Sequence, residues 1–452
     1  MTKGILLTAL AALLVQPAAA DARKKTVAVP TAPVQLPYQS ANLPTSGQVR
    51  AFYAGWRYAP IWFNGTAAKP AANQLIEILK RAPLDGIPVG PQYAAQVQAA
   101  VQQAVVTGAP QAIAFADRTL SEALVLYAQV MQRPSEGYIY AHDYLKPKAP
   151  SADQVLRTAS GAPSLEQYLS QVANPNAIYT SIRDAAWREM QASGSAAPDP
   201  RVMANLDRAR IFPARGRFAI VDSATQRLIM YENGIPVDSM KVVVGDPYKL
   251  KLPTPMIAST MYYVVHNPYW NVPHHLVRRM APNLTKASYR KAGGYEIMSD
   301  WTADATPIDP SSVDWTAVQQ GAKQIRVRQK PSGENSMGDL KFPFDNPEGI
   351  FLHDTPKREY FQLAVRAKSN GCVRLEDARR FARWLLQREP VKPDDGAEQF
   401  EQMTRGVPVY TTYLTAQVEN GQLSFVDDIY GWDPSAATQV AAGNAAKVAA
   451  EQ

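Results

Sequence analysis

Apolar positions between about residues 49 and 190 recur at three- and four-residue steps, the spacing of a buried helix face. The clearest run is Ile113, Ala116, Leu120, Leu124, Tyr127 and Met131. Asn73, just ahead of the periodic stretch 75–79, is the expected N-cap of a helix there. Further helices are predicted near 165–172 and 178–190, and Ser193-Gly194-Ser195-Ala196-Ala197-Pro198 breaks the pattern. After Arg217 the period shortens to that of strands, at 218–221 and 228–231. Asn233-Gly234 then predicts a hairpin into a strand at 239–244. More strands are predicted at 256–265, 324–328, 349–353 and 409–414, with a second hairpin at Asn420-Gly421 between 416–418 and 423–425. A single helix, 375–388, interrupts this β-rich part. Residues 267–322, with Trp270, Pro273, Trp301 and Trp315, form a partly helical insertion between strands, and an excursion of that length suggests a lid over a site. The pattern therefore predicts an α+β chain: helical over 49–195 and β-rich over 196–434, after a Pro/Ala-rich linker at 21–48 and before an Ala-rich tail at 435–452.

Composition sharpens the picture in three places. The 452 residues leave room for about three domain-sized units. A hydrophobic fraction of 46% with 19% charged residues argues against wholesale disorder. The formal net charge of +7 is spread along the chain, without the basic stripe and interleaved aromatics of a nucleic-acid binder, so no nucleic-acid partner is expected. The N-terminus reads as a secretory signal over 1–20: Lys3, an apolar run from Gly4 to Val15, then Ala18-Ala19-Ala20 for cleavage. That run is too short to span a bilayer and no later segment reaches about 18 apolar residues, so no transmembrane span is expected in the mature chain.

Cys372 is the single cysteine, which excludes an intramolecular disulfide. A free thiol in an exported chain is either a buried inert residue or a nucleophile. Its surroundings suit the second and leave the first open. Of five histidines (His142, His266, His274, His275, His353), His353 ends the apolar run Ile350-Phe351-Leu352-His353. Nineteen positions later Ser369-Asn370-Gly371-Cys372-Val373-Arg374 reads as a glycine-marked turn leading into a helix. A thiol attacks as thiolate, so it needs an imidazole within reach and a helix start or cation to lower its pKa. Gly371 lets the backbone come close, and the Gly371 and Cys372 amides are candidate donors to an oxyanion. His274-His275, with only His266 nearby and no cysteine partner, does not make a zinc set, and no metal or other cofactor is expected. Ser288-Tyr289-Arg290-Lys291 matches S-x-x-K but has no S-D-N or K-T-G companion, so it carries nothing.

The block His353-Asp354-Thr355-Pro356 with Ser369-Asn370-Gly371-Cys372-Val373-Arg374 resembles the signature of bacterial L,D-transpeptidases. Asn267-Pro268-Tyr269-Trp270-Asn271-Val272-Pro273, Asn335-Ser336-Met337-Gly338, Lys341-Phe342 and Asp427-Asp428-Ile429-Tyr430-Gly431 are similar to the large class of that family. Ala51-Phe52-Tyr53 and Tyr58-Ala59-Pro60-Ile61-Trp62 resemble its helical scaffold domain. The resemblance implies a scaffold domain followed by a β-rich L,D-transpeptidase catalytic domain, working in the periplasm on peptidoglycan. Cys372 would be the nucleophile, His353 the base, the Asp354 carbonyl the group orienting the imidazole, and Gly371 a backbone oxyanion donor. The thiolate would attack the third residue of a tetrapeptide stem, release D-alanine, and pass the acyl group to an amine of another stem as a 3→3 cross-link. Carbapenems are the inhibitors the resemblance implies. Ser369, Asn370, Arg374, Phe351, Asn335, Lys341 and Trp270 are the candidate substrate-contacting residues, although packing inside the insertion is the favoured reading for Trp270, ordering of a loop is the favoured reading for Asn335 and Lys341, and a salt bridge is the alternative for Arg374.

The chain departs from the family pattern in four ways. Asn370 stands where histidine is frequent, Arg374 where asparagine is frequent, and Phe351 where the large class often has tyrosine. The stretch 193–212 is too short for the peptidoglycan-binding module usual between scaffold and catalytic domain. Other acceptors (water, a protein amine, a free D-amino acid) share the first half-reaction and stay open, as does a non-catalytic wall-scaffold role. A papain-like protease is excluded by order, since there the cysteine precedes the histidine.

Overall fold

The computed structural model describes residues 46–55, 60–391, 396 and 398–434. The signal segment 1–20, most of the 21–48 linker, Tyr58 and Ala59 of the scaffold motif, and the 435–452 tail lie outside the described residues.

The N-terminal part is helical because its apolar residues repeat at helical spacing around one long central helix. Its elements are α1 (Ser46–Gly55), a two-residue hairpin of β1 (Phe63–Asn64) and β2 (Ala67–Ala68), α2 (Pro70–Arg81), α3 (Gly90–Thr107), α4 (Pro110–Met131), β3 (Ile139–Tyr140), α5 (Ala152–Gly161), α6 (Leu165–Ala173), α7 (Ala177–Ser193) and α8 (Pro200–Ala209). The α4 face read from the sequence is buried from Ile113 to Met131. Asn73 is not an N-cap. Pro70, whose fixed φ and missing N–H suit the first turn, starts α2 three residues earlier. Asp117 on α4 fastens the hairpin region to the helices, accepting from the Trp62 amide at 2.7 Å, the Ile61 amide at 3.3 Å and the Tyr53 hydroxyl.

The β-rich part is a closed barrel. Its strands are β4 (Arg217–Asp222), β5 (Arg227–Glu232), β6 (Ile235–Gly245), β7 (Ile257–His266), β11 (Leu340–Pro343), β12 (Phe351–His353), β14 (Val373–Leu375) and β15 (Gln399–Thr412). Neighbours run β11-β12-β14-β6-β5-β4-β15-β7, and a β11–β7 pairing at Leu340↔His266 closes the ring. The short β13 (Ala367–Ser369) adds to β6, and scaffold strand β3 extends β7 in parallel, Ile139 opposite Ile257. Both Asn-Gly hairpins form as read. Asn233 and Gly234 take φ of +53° and +80°, the two left-handed residues of a type I′ turn. Asn420 and Gly421 do the same between β16 (Ala416–Glu419) and β17 (Gln422–Phe425).

Strand β15 is far longer than the predicted 409–414, because its first half pairs with β7 from Gln399↔His266 before a bulge at 402/407. The expected helix 375–388 starts later, as α12 (Ala378–Leu386) capped by Asp377. Leu375 belongs to β14, captured between β12 and β6. Scaffold and barrel share one apolar core. They are also tied by polar contacts: Arg208 donates to the Tyr413 carbonyl at 3.0 Å and Asp433 at 2.8 Å, and Asn205 donates to Thr415 at 2.9 Å.

Residues Tyr269–Lys330 form a separate compact unit with its own core, built on Val277, Ala281, Leu284, Ile297, Val318 and Val327. It contains β8 (Trp270–Asn271), α9 (His274–Leu284), α10 (Ala287–Gly293), β9 (Tyr295–Met298), α11 (Trp315–Gln320) and β10 (Arg326–Gln329). Its sheet runs β8-β10-β9, so the unit extends past residue 322 to include its central strand. Among the described residues, no helix is long and apolar enough to cross a membrane.

Candidate active site

Three short strands carry the site. Lys341 lies opposite His353 in the antiparallel β11–β12 pair, and His353 lies opposite Arg374 in the parallel β12–β14 pair. Cross-strand partners share a face, so these three side chains stand in a row, while Leu352 and Val373 point into the core with no exposure. Cys372 immediately precedes β14, and by alternation it belongs to the His353 face. The row continues through Val265 to Phe400 of β15, whose exposed ring stands 5.6 Å from that of Tyr263.

His353 is buried, and its Nδ1 donates to the Asp354 carbonyl. A carbonyl only accepts, so in the neutral ring the proton sits on Nδ1 and Nε2 keeps a lone pair. Burial, then the cation of Arg374, holds the imidazole far below its ordinary value, at about 3, with Lys341 adding to the effect. Hydrogen bonds to the Asp354 and Met337 backbone oppose this without reversing it. The half-buried Cys372 thiol donates to the Gly349 carbonyl at 3.8 Å. Burial pushes it up, while the Phe351 backbone and the Lys341 and Arg374 cations pull the other way. At rest the site therefore holds a neutral imidazole on β12 and a neutral thiol at the start of the neighbouring strand β14.

The cysteine loop is fixed by its own hydrogen bonds. Ser369, buried, donates from Oγ to the Cys372 carbonyl and accepts from the Gly371 amide at 3.1 Å. Gly371 has φ of +107°, and a Cβ there would stand 3.0 Å from Ile350 Cδ1, so glycine is required. Its carbonyl accepts from Thr254 Oγ1 at 2.7 Å, and Thr254 Oγ1 accepts from the Gly245 amide at 2.9 Å. The Tyr430 hydroxyl completes the brace, accepting from the Thr254 amide at 3.2 Å and donating to the Gly245 carbonyl at 3.0 Å.

Several sequence-based expectations change on this geometry. No helix start lies at the thiol, since β14 intervenes and α12 begins at Ala378; the charges acting on the sulfur are the cations Lys341 and Arg374. Ser369 spends its hydroxyl inside the loop, so it shapes the turn in place of contacting substrate. The Gly371 amide, expected to serve an oxyanion, is already bonded to Ser369. Asn335, fully buried, accepts from the Met337 amide at 2.7 Å and donates to the Pro268 carbonyl at 3.0 Å, which is the loop-ordering role the sequence favours for it. Trp270 packs against the insertion's own core, the reading its sequence context favours.

Four other candidates remain at the site. Asn370 is half-buried in the bend. Lys341 holds its Nζ 4.2 Å over the Phe351 ring, and burial lowers its ammonium pKa. The Arg374 guanidinium lies over Tyr360 at 5.2 Å, with Nε and Nη1 buried and without hydrogen-bond partners among the described residues. No salt bridge engages it among those residues, in contrast to the alternative reading.

Sequence reasoning missed Thr254, which sits in a proline-flanked stretch with no periodicity, and Arg358 and Tyr360 on the 3-10 turn Arg358–Gln362. Tyr430 did carry a signal, as part of the Asp427–Gly431 block. Among the described residues, no group of three or more His, Cys, Asp or Glu side chains is arranged to hold a metal.

Comparison with known proteins agrees with this layout. A family model described as the L,D-transpeptidase catalytic domain matches residues 216–392, and one described as a scaffold domain matches residues 47–185. A Haemophilus influenzae protein named "Putative L,D-transpeptidase" is 27% identical over 407 residues, covering 84% of this chain and 77% of its own length. Two solved structures also match at 12% identity. One, titled a structure of the Ldtfm-avibactam carbamoyl enzyme, covers 45% of this chain and 50% of its own, with a TM-score of 0.22. The other, an L,D-transpeptidase from Mycobacterium smegmatis, covers 43% and 58% with a TM-score of 0.20. The chain thus spans little more than half the length of those solved chains.

Two measurements test the site's physics. Thr254→Val keeps the shape but leaves the buried Gly245 amide without its acceptor and frees the Gly371 carbonyl; urea unfolding should show a loss of about 1–3 kcal/mol. The second concerns pH. The unfolded chain protonates this histidine near its ordinary value of 6.5, whereas the native state resists until about 3. Between those values the unfolded state binds more protons, so stability falls as pH drops through that window. His353→Gln removes that contribution, and its stability should decline less than the wild type's between about pH 7 and about pH 4.5. Equal declines in both proteins would show that the imidazole is not held neutral.

Proposed function

Because the chain belongs to the L,D-transpeptidase family, with a scaffold domain ahead of its catalytic domain, we propose that it is an exported cysteine acyltransferase that builds 3→3 cross-links between peptidoglycan tetrapeptide stems. The observation that carries this reading is the pairing of β12 with β14, which brings His353 and Cys372 onto one face of the barrel wall. The signal-like N-terminus supports export to the periplasm.

The neutral resting pair dictates how the chemistry runs. Sulfur bonds to the carbonyl carbon of the third stem residue as its proton passes to His353 Nε2, so no free thiolate accumulates. The carbonyl oxygen becomes an oxyanion. With the Gly371 amide committed to Ser369, the Cys372 amide is the donor for it. The carbon–nitrogen bond to D-alanine then breaks, and the proton on Nε2 goes to the leaving amine, giving a thioester. An amine of a second stem attacks that carbonyl and yields a proton to Nε2, which returns it to the sulfur. Transient positive charge on the ring is stabilised by the Asp354 carbonyl at Nδ1.

Arg374 supplies recognition in this scheme. Two guanidinium nitrogens buried without partners are costly unless something fills the gap during turnover. A stem carboxylate is the group that fits, since the stems are anionic and arginine pairs with carboxylates through charge-assisted hydrogen bonds.

Intact-protein mass spectrometry tests the assignment. Tetrapeptide muropeptides should add one acyl group to the wild type with loss of D-alanine, and a carbapenem should add its own mass; Cys372→Ala should take up neither while staying folded. Turnover products separate dimers from hydrolysed or exchanged stems. Cross-linking by Cys372→Ala would end the cysteine reading. Arg374→Ala should raise KM for stems about tenfold or more, in line with losing a charge-assisted bond.

A further inference from the structure

The reading above uses only the carbonyl of Asp354, but its side chain is the more unusual feature of the site. The carboxylate is buried and accepts from the Asp339 amide at 3.0 Å and from Arg358 Nη2 at 2.6 Å. It rests in a notch left by Gly338: a Cβ there would stand 2.4 Å from Asp354 Oδ2, and Gly338 has φ of +60°. The Asp354 amide donates to the Leu340 carbonyl at 2.8 Å. Its amide, its carboxylate and its carbonyl, which takes the His353 Nδ1 proton, are therefore each engaged.

Arg358 extends the arrangement to the cysteine strand. While Nη2 grips Asp354, Nη1 donates to the Glu376 carbonyl at 2.8 Å, one residue past the end of β14. One guanidinium thus joins the exit of the histidine strand to the exit of the strand that follows Cys372. The far side of Asp354 is held as firmly. Asp339 accepts from the Asn267 amide at 3.0 Å, and Asn335 ties the same stretch to Pro268.

Arg358 is more than half exposed, and an ion pair in that setting contributes little to stability. What the pair fixes is direction. We propose that the Asp354 carboxylate and Arg358 act as a clamp that aims the His353 imidazole at the cysteine strand, which makes both of them positioning residues for the transfer reaction. The proposal rests on the cysteine–histidine reading. A carbonyl at the end of a freely turning peptide unit would orient the ring loosely, and small misplacements of a catalytic group carry large rate penalties. With the carboxylate locked on one side and the cysteine strand on the other, the peptide plane that receives the Nδ1 proton has one orientation.

The test uses the full chain with Asp354→Ala, Asp354→Asn, Arg358→Gln and Arg358→Lys. Stem acylation kinetics are read beside the proton NMR signal of His353 Nδ1–H in protein labelled at histidine nitrogen. Asp354→Ala and Arg358→Gln should lower kcat about tenfold to hundredfold, with KM within about twofold. The downfield Nδ1–H signal should move upfield or broaden, and Arg358→Lys should recover part of both. A purely structural pair would lower the melting temperature and leave the signal of the folded population in place. Folded variants with kcat within about twofold of wild type and an unchanged signal would overturn the clamp. If Asp354→Ala does not fold, Arg358→Gln, which alters only a largely exposed side chain, decides alone. Failure of the underlying reading looks different: Cys372→Ala would remain active, whatever the NMR signal reports about Asp354.

Discussion

Everything at this site depends on the cost of charge in a place that water barely reaches. Burial holds the imidazole of His353 neutral and the thiol of Cys372 protonated. Many thiol enzymes draw reactivity from a standing thiolate near a helix terminus. This site instead keeps two cations, Lys341 and Arg374, in the same strand row and leaves the sulfur its proton. Positive charge so close to a buried imidazole discourages protonation at rest, and the same charge favours sulfur when it begins to release its proton. The charges in this strand row thus act against an ionised imidazole and in favour of an ionised sulfur, while burial keeps both groups neutral at rest.

The barrel makes this tuning possible because its register is rigidly specified. A slip of one residue in β12 would send His353 into the core and bring Leu352 to the surface. Leu352 and Val373, both without solvent exposure, oppose that slip from inside, and Phe342 adds its own buried ring. The apolar interior therefore sets which side chains meet on the outside. The brace of Thr254, Gly245 and Tyr430 carries that order into the cysteine loop, where no regular ladder reaches.

Much of this was legible in the chain. Helical periodicity marked α4, α6 and α7, and the two Asn-Gly turns marked their hairpins, because both signals are local. The His353 and Cys372 blocks stood out by residue type and order. What stayed hidden was set by long-range contact. Strands β11 and β14 are three or four residues long and owe their existence to neighbours distant in sequence, so Cys372 was read as leading into a helix when it leads into a strand. The first half of β15 is polar and was invisible until β7 lay beside it. Ser369 and Asn335 resembled ligand-binding residues for the same reason that they make good turn-formers: small polar side chains satisfy stray backbone groups equally well.

The insertion of residues 269–330 leaves the barrel between β7 and β11, and those strands are hydrogen-bonded neighbours through His266 and Leu340. In topological terms this self-packed unit occupies the place of a hairpin loop, with both of its ends anchored at a seam that is already zipped. Stretching, shrinking or exchanging such a segment alters ring-closure entropy only logarithmically and asks nothing of the barrel's pairing. The seam is consequently a point where the chain can carry a segment of almost any length without disturbing the register that lines up Lys341, His353 and Arg374.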